Sequence, residues 1–183
     1  LDLATEEEAP LHEAGEVVQG AGPRSSRRSY LLKPVALKPR AGQRVGEVLA
    51  QEGVGFEIAS TAELDLLLGL GIPAAEVFFS NPVKSRDAIT YAASKGVEWY
   101  VGDSTDEVRK VHEVKPDAKL YLRIAAPNIG SDWPLSGKFG AGAADAREIV
   151  GYAAKRGADL AGVTFHVGSQ CRNPENWRVA IEK

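Results

Sequence analysis

From about residue 30 onward, the hydrophobic positions follow two alternating patterns. Short apolar runs typical of buried strands cover residues 34–38, 55–58, 77–79, 98–101, 119–124 and 161–166. Between several of these runs, apolar residues recur with the period of an amphipathic helix, at 61–70, 87–95 and 105–112. The chain therefore alternates strand and helix, and these six runs predict about six β/α units.

The ends of the predicted helices are marked by specific residues. Ser60 with Glu63, and Ser104 with Glu107, have the spacing of a capping box, in which the two side chains satisfy each other's backbone N–H groups. Gly96 follows a helical pattern and is typical of a left-handed helix end. We therefore expect helices to begin after Ser60 and Ser104 and one to end at Gly96.

Alternating strands and helices imply parallel strands joined by right-handed crossovers, in a doubly wound sheet or a barrel. No Gly-x-Gly-x-x-Gly motif follows the first strand. The polar residues that could take part in catalysis or ligand binding all fall at or just after the carboxyl ends of strands, where a barrel builds its active site. They are Lys38, Glu57, Arg123 and His166. We therefore predict an α/β fold, a (β/α)8 barrel of the TIM type.

A complete barrel has eight units in typically ~250 residues, so residues 30–183 are predicted to form an incomplete barrel. Residues 1–29 are polar and weakly periodic, with a Gly-Ala-Gly-Pro breaker at 20–23, and are predicted to be a divergent, loose extension. The chain begins with Leu and contains no Met. We therefore expect it to be a piece of a longer protein.

Composition narrows the classes of partner. The 183 residues are 44% hydrophobic and 26% charged, which suits one globular core. The net charge of −3 without long charge runs argues against nucleic acid or anionic lipid and favours a small-molecule partner. No apolar run approaches the ~20 residues of a membrane span, and the acidic first ten residues do not resemble a secretory signal. Cys171 is the only cysteine, which rules out an internal disulfide and fits a reducing compartment.

Lys38 ends an apolar strand, so its amine is predicted to project from the barrel rim into a cavity where burial lowers its pKa, as Schiff-base chemistry requires. The alternative is an ordinary solvated lysine at a strand end. Lys33 competes for the role, but Pro34 follows it and places it at the entry of the strand. Glu57 is a carboxylate within an apolar strand and needs a partner such as Lys38.

His166 ends a β-rich run and is followed by a Gly-Ser turn at 168–169. An imidazole there could stack on a ring, while the turn could offer backbone N–H groups and the Ser169 hydroxyl to a phosphate. A structural histidine at the rim of the core is the alternative. Arg123 closes its strand and by itself suits a structural ion pair. The three His and one Cys lack the spacing of metal ligands, so no metal site is predicted.

Several motifs, in order and spacing across about residues 35–183, resemble the ornithine decarboxylase family. They are residues 53–64 (GVGFEIASTAEL), 79–85 (FSNPVKS), 91–97 (YAASKGV), 121–124 (YLRI), 130–140 (GSDWPLSGKFG) and 165–169 (FHVGS). The resemblance implies fold type III of the pyridoxal-phosphate enzymes, an alanine-racemase-like barrel that holds pyridoxal 5′-phosphate, with a β-rich second domain completing the protomer.

The resemblance also implies roles for individual residues. Lys38 is the Schiff-base lysine and His166 the ring that stacks on the cofactor, which makes them the expected catalytic residues. Ser169 touches the cofactor's phosphate. The family's Tyr-Ala-Val-Lys-x-Asn motif is changed here at residues 35–40 to Val-Ala-Leu-Lys-Pro-Arg.

Three further residues are assigned by the same resemblance. Arg123 lies near the pyridine ring, and Glu57 stands where the family usually has an aspartate close to the lysine and cofactor. Lys138 sits in the interfacial loop of a head-to-tail homodimer. The family residues that pair with the pyridine nitrogen and with the substrate side chain have no counterpart in residues 1–183.

The implied reaction is pyridoxal-phosphate-dependent decarboxylation of a basic amino acid, with L-ornithine to putrescine in polyamine biosynthesis favoured by the loop at 130–140. Lysine, arginine or diaminopimelate remain alternative substrates, as does a non-catalytic regulatory homologue. The resemblance further implies a cytoplasmic homodimer of the full-length protein. The 183-residue chain by itself is expected to be inactive.

Overall fold

The computed structural model describes residues 17–20, 30–32, 35–36, 43–52, 55–135 and 137–182. Its strands are β1 Val17–Gly20, β2 Tyr30–Leu32, β3 Val35–Ala36, β4 Phe56–Ile58, β5 Val77–Phe79, β6 Trp99–Gly102, β7 Lys119–Ile124 and β8 Asp159–Phe165. Its helices are α1 Gln43–Gln51, α2 Thr61–Gly69, α3 Arg86–Lys95, α4 Thr105–Val114, α5 Ala143–Arg156 and α6 Glu175–Ile181. A short 3₁₀ helix, Ala74–Glu76, leads into β5.

The strands form one sheet whose order across the described residues is β2-β1-β8-β7-β6-β5-β4-β3. From β3 to β8, each strand lies beside the next in sequence, and every one of these pairs is parallel. A doubly wound sheet would reverse its order part-way, whereas a (β/α)8 barrel advances in one direction. The predicted partial barrel of about six units is therefore confirmed.

The edge of β8 is paired with a strand from the start of the chain. β1 lies antiparallel to β8, with Val18 opposite Thr164, and β2 in turn lies antiparallel to β1. No strand was expected at 17–20 from the hydrophobic pattern. The interpretation of residues 1–29 as a divergent extension stays a prediction, because most of that segment lies outside the described residues.

The main core lies between the sheet and the helices that follow its strands. Each of four helices contributes a buried apolar pair: Leu64 and Leu67 from α2, Ile89 and Ala92 from α3, Val108 and Val111 from α4, and Ile149 and Ala153 from α5. All of these belong to one hydrophobic cluster. Since α2 to α5 pack on the same face, the opposite face of the sheet is the barrel interior.

The predicted helix ends are largely confirmed. At α2, the Glu63 N–H donates to Ser60 Oγ at 3.3 Å and the Ser60 N–H donates to Glu63 Oε2 at 3.0 Å, which completes the capping box. α3 ends at Gly96 with a left-handed φ of 94°. Within the described residues, no helix is long and apolar enough to cross a membrane.

Candidate active site

An aromatic layer lines the interior face of the sheet. It consists of Phe78, Trp99 and Tyr121, from β5, β6 and β7, and it packs with Val101 in a cluster separate from the main core. The Trp99 and Tyr121 rings stack with centroids 5.1 Å apart and planes 10° apart, and Phe78 lies 5.6 Å from each. The layer lines the barrel interior with apolar surface below the carboxyl ends of the strands.

Two of the predicted site residues, Glu57 and Arg123, share this interior face. Side chains alternate along a strand, so Glu57 points away from the helix-side core that takes up Phe56 and Ile58. Arg123 lies two residues beyond Tyr121 on the same face, and its guanidinium is 5.3 Å from the Phe139 ring centroid. Both residues are buried, at 8% and 6% exposure. The fold therefore places a carboxylate and a guanidinium inside the barrel.

Two buried hydroxyl groups lie on the same face. Ser80 comes two residues after Phe78, and Thr164 is the strand partner of Arg123. Both residues are buried, and among the described residues neither hydroxyl oxygen has a hydrogen-bond partner. A buried hydroxyl without a partner costs about 1–3 kcal/mol. These two groups are therefore suited to bond a polar ligand in the interior.

His166 follows β8 and is held as a neutral ring. The Gly168 N–H donates to His166 Nδ1 at 2.8 Å, so the proton of the neutral imidazole lies on Nε2. Burial, with a smaller effect from the nearby Arg123 charge, lowers the pKa of His166 to about 4. At neutral pH the site therefore presents an uncharged imidazole with a single tautomer.

The β7–α5 loop, residues 125–142, is bonded to the segment after β8. Trp133 and Ser169 exchange two backbone hydrogen bonds of 3.3 and 3.1 Å. At the far end of the loop, the Gly140 N–H donates to Asp103 Oδ2 at 2.9 Å. The Asn128 side chain bonds to the His166 carbonyl and to the Leu135 N–H. None of these contacts has a signature in the sequence, because each depends on loop conformation.

The remaining predicted site residues are placed as follows. The Gly168 and Ser169 N–H groups bond to His166 and Trp133, so a phosphate role for this turn depends on the Ser169 hydroxyl rather than on its backbone. Lys138 is an exposed residue of the β7–α5 loop. Lys38 and the competing Lys33 lie outside the described residues, although Ala36 of β3 pairs with Glu57.

A buried ion pair that sequence reasoning missed joins the β5–α3 loop to the first turn of α4 at the same end of the barrel. Lys84 Nζ lies 2.8 Å from Glu107 Oε1 and donates to the backbone carbonyls of Val101 at 2.5 Å and Asn81 at 2.8 Å. Desolvation lowers the pKa of the Lys84 ammonium below its usual range, against the opposing effect of Glu107. The second predicted capping box is therefore only half correct: Ser104 Oγ accepts from the Glu107 N–H, but the Glu107 carboxylate bonds to Lys84 and Lys110.

The strand order of the sheet and the polar residues on its interior face are typical of one class of enzyme domain. Residues 32–183 match the family described as pyridoxal-dependent decarboxylase, pyridoxal binding domain, and the chain belongs to that family. Pyridoxal 5′-phosphate is the cofactor of the family, as in a solved lysine decarboxylase complex.

The curated relatives with similar sequences include ornithine decarboxylases and antizyme inhibitors. Ornithine decarboxylase of Mus musculus is 41% identical over 146 residues, which cover 80% of this chain and 32% of the relative. Antizyme inhibitor 2 of Xenopus laevis is 36% identical over 151 residues, which cover 82% of this chain and 33% of the relative. The chain thus spans about a third of the length of these curated relatives.

Solved structures of decarboxylases have the same fold. Arginine decarboxylase of Paramecium bursaria Chlorella virus superposes with a TM-score of 0.77 at 30% identity, covering 80% of this chain and 40% of that one. Lysine/ornithine decarboxylase of Vibrio vulnificus, complexed with putrescine, gives a TM-score of 0.72 at 31% identity, covering 81% and 39%. These matches identify the sheet and its helices as a decarboxylase barrel.

Proposed function

We propose that this chain is the cofactor-binding barrel portion of a pyridoxal 5′-phosphate-dependent decarboxylase that acts on a basic amino acid. The observation that carries the proposal is the placement of Glu57 and Arg123 on one interior face, with His166 following β8 at the same end of the sheet. Membership of the pyridoxal-binding family supports the cofactor.

The residues present fit the cofactor chemically. A neutral imidazole can lie against a pyridine ring that carries a proton, whereas a charged imidazole would repel it. The hydroxyls of Ser80 and Thr164, which have no hydrogen-bond partner among the described residues, offer polar contacts on a face that also carries the Arg123 guanidinium. The aromatic layer of Phe78, Trp99 and Tyr121 provides an apolar floor that keeps water away from the interior side of the proposed cofactor site. When bound, pyridoxal 5′-phosphate supplies the electron sink that decarboxylation requires.

Each residue has a distinct task under this proposal. Lys38 holds the cofactor covalently, and Glu57 stands close to that lysine and to the ring. His166 stacks on the ring and fixes its plane. Arg123 binds beside the pyridine ring, and the Ser169 hydroxyl binds the phosphate.

L-Ornithine is the substrate that the relatives favour, with putrescine as product. Ornithine decarboxylases of animals and fungi are 34–41% identical to the chain. The structural neighbours include arginine and lysine/ornithine decarboxylases, so arginine and lysine are the competing substrates, followed by diaminopimelate. A cytoplasmic homodimer, with the exposed Lys138 at its interface, completes the proposal.

Two measurements test this function. Titration of the purified chain with pyridoxal 5′-phosphate should produce a new absorbance band that disappears on reduction with borohydride. Release of CO2 is then compared among L-ornithine, L-lysine, L-arginine and diaminopimelate, using the longest natural form of the protein that contains these residues. Preference for L-ornithine supports the substrate assignment, and absence of cofactor binding contradicts the function itself.

A non-catalytic regulatory homologue is the second candidate. It is favoured by the 36–37% identity to antizyme inhibitor 2 from Xenopus laevis and Homo sapiens, which lies within the 34–41% range of the ornithine decarboxylases. Such a protein would keep the barrel and show neither the absorbance band nor CO2 release. The same titration therefore separates the two functions.

A further inference from the structure

Asn128 occupies a central position between the β7–α5 loop and the residue that follows β8. Its Nδ2 donates to the His166 carbonyl at 3.2 Å and to the Pro127 carbonyl at 2.9 Å. Its Oδ1 accepts from the Leu135 N–H at 2.7 Å. One partly buried side chain thus links the end of β8 to the middle of a loop that departs from β7.

The His166 ring is held by Gly168, which packs against the same β7–α5 loop that Asn128 bonds. Gly168 donates to His166 Nδ1 and has a left-handed φ of 92°. A Cβ atom on Gly168 would lie only 2.4 Å from Ser131 Oγ, so the loop packs directly on this turn. Ser131 Oγ donates to the Asn128 carbonyl at 2.8 Å. The backbone and the ring of His166 are therefore fixed by one connected unit.

We propose that Asn128 is a positioning residue that sets the orientation of the His166 ring by bonding the His166 carbonyl and the β7–α5 loop simultaneously. The inference rests on the proposed function, in which His166 lies against the cofactor. The position requires a donor toward His166 and an acceptor toward Leu135, and a carboxamide supplies both. Aspartate keeps the acceptor but replaces the donor with a second oxygen that repels the carbonyl.

The most direct test uses the protein without cofactor. The chain has three histidines, so comparison with a His166→Gln variant assigns the ¹⁵N ring signals of His166. In the unsubstituted protein the shifts should report one neutral tautomer, with the proton on Nε2. In Asn128→Ala, loss of the anchor should loosen the Gly168 bond and move both shifts toward the average of the two tautomers.

Asn173→Ala is the matched control, because Asn173 also carries a structural amide near this loop but bonds the Glu175 N–H rather than His166. It should leave the His166 shifts unchanged. If Asn128→Ala does not fold cooperatively, Asn128→Asp retains the Leu135 contact and gives the same readout. His166 shifts identical to those of the unsubstituted protein in a folded Asn128 variant would overturn the inference.

Titration with pyridoxal 5′-phosphate separates this inference from the proposed function. Asn128→Ala should weaken cofactor binding by about tenfold, because a misoriented His166 ring stacks less well on the cofactor. Failure of the unsubstituted chain to bind the cofactor would reject the proposed function and leave the tautomer result valid. Normal binding by the unsubstituted chain, together with unchanged tautomer and affinity in Asn128→Ala, would reject only the role of Asn128.

Discussion

The chemical state of single residues in this protein follows from burial and from which neighbours donate hydrogen bonds. His166 is the clearest case, because an accepted bond at Nδ1 fixes its tautomer and burial disfavours its charged form. The sequence predicted that His166 ends a strand. It could not reveal the ring's tautomer, because the Gly168 N–H reaches the ring only through the left-handed conformation of Gly168.

Replacing His166 with Gln should make folding less sensitive to acid. The pKa of folded His166, about 4, lies below the ordinary value of 6.5, so as pH falls the unfolded chain takes up the proton first. The free energy of unfolding of the unsubstituted protein should therefore fall between pH 6.5 and about 4, and this contribution should be absent from the variant. Urea denaturation across this range measures it, with His112→Gln as the control. Equal losses in His166→Gln and the unsubstituted protein would show that His166 is not buried as a neutral ring.

Gly140→Ala should destabilise the fold by about 3 kcal/mol or more. Gly140 has a φ of 96°, and a Cβ there would lie 2.8 Å from the backbone N and Cα of Ala125 and from the Ile124 carbonyl. Gly71→Ala is the matched control, because Gly71 also has positive φ, 79°, but has open space around the added atom. That change should cost only the conformational strain, about 1–2 kcal/mol. Chemical denaturation compares the two, and equal costs would mean that the loop relaxes away from Ala125.

At the scale of elements, the sequence predicted strands better than helices. Every apolar run proposed as a strand overlaps an observed strand, because buried parallel strands are continuously apolar. Helices α1, α5 and α6 were not predicted. α5 starts after Gly142 and α6 after Pro174, both without a side-chain cap, so their starts lack the Ser-x-x-Glu signal that marked α2.

Glu107 illustrates why local patterns are insufficient. Its spacing from Ser104 equals that of Glu63 from Ser60, yet only Glu63 closes its capping box. The buried ammonium of Lys84, 23 residues earlier in the chain, takes the Glu107 carboxylate instead. A buried charge needs an oppositely charged partner. The ion pair with Lys84 therefore outweighs the local hydrogen bond that would close the capping box of α4.

Lys84→Met should destabilise the protein by up to about 3–5 kcal/mol, since it removes one of the two ammonium partners of the buried Glu107 carboxylate and leaves only Lys110. The double variant Lys84→Met with Glu107→Gln should recover much of the loss. Lys115→Met serves as the control, because its partner Asp117 is exposed and such pairs contribute about 1 kcal/mol or less. Denaturant midpoints measure all three. A double variant as unstable as Lys84→Met would show that the cost comes from lost backbone contacts rather than from an uncompensated charge.

At the scale of the whole molecule, the barrel and its family could be predicted because strand periodicity and motif order extend over the chain. The placement of Glu57 and Arg123 on one face also follows from alternation along strands. Asn128 and the Asp103 contact to Gly140 could not be predicted, because they connect segments through loops with no periodic pattern.

The central claim is that this barrel binds pyridoxal 5′-phosphate through Lys38. Incubation with the cofactor, reduction with borohydride and peptide mapping by mass spectrometry test it directly. We predict a single pyridoxyl group on Lys38, retained in Lys33→Ala and lost in Lys38→Ala. A label on Lys33, a label spread over surface lysines, or no label at saturating cofactor would contradict the account.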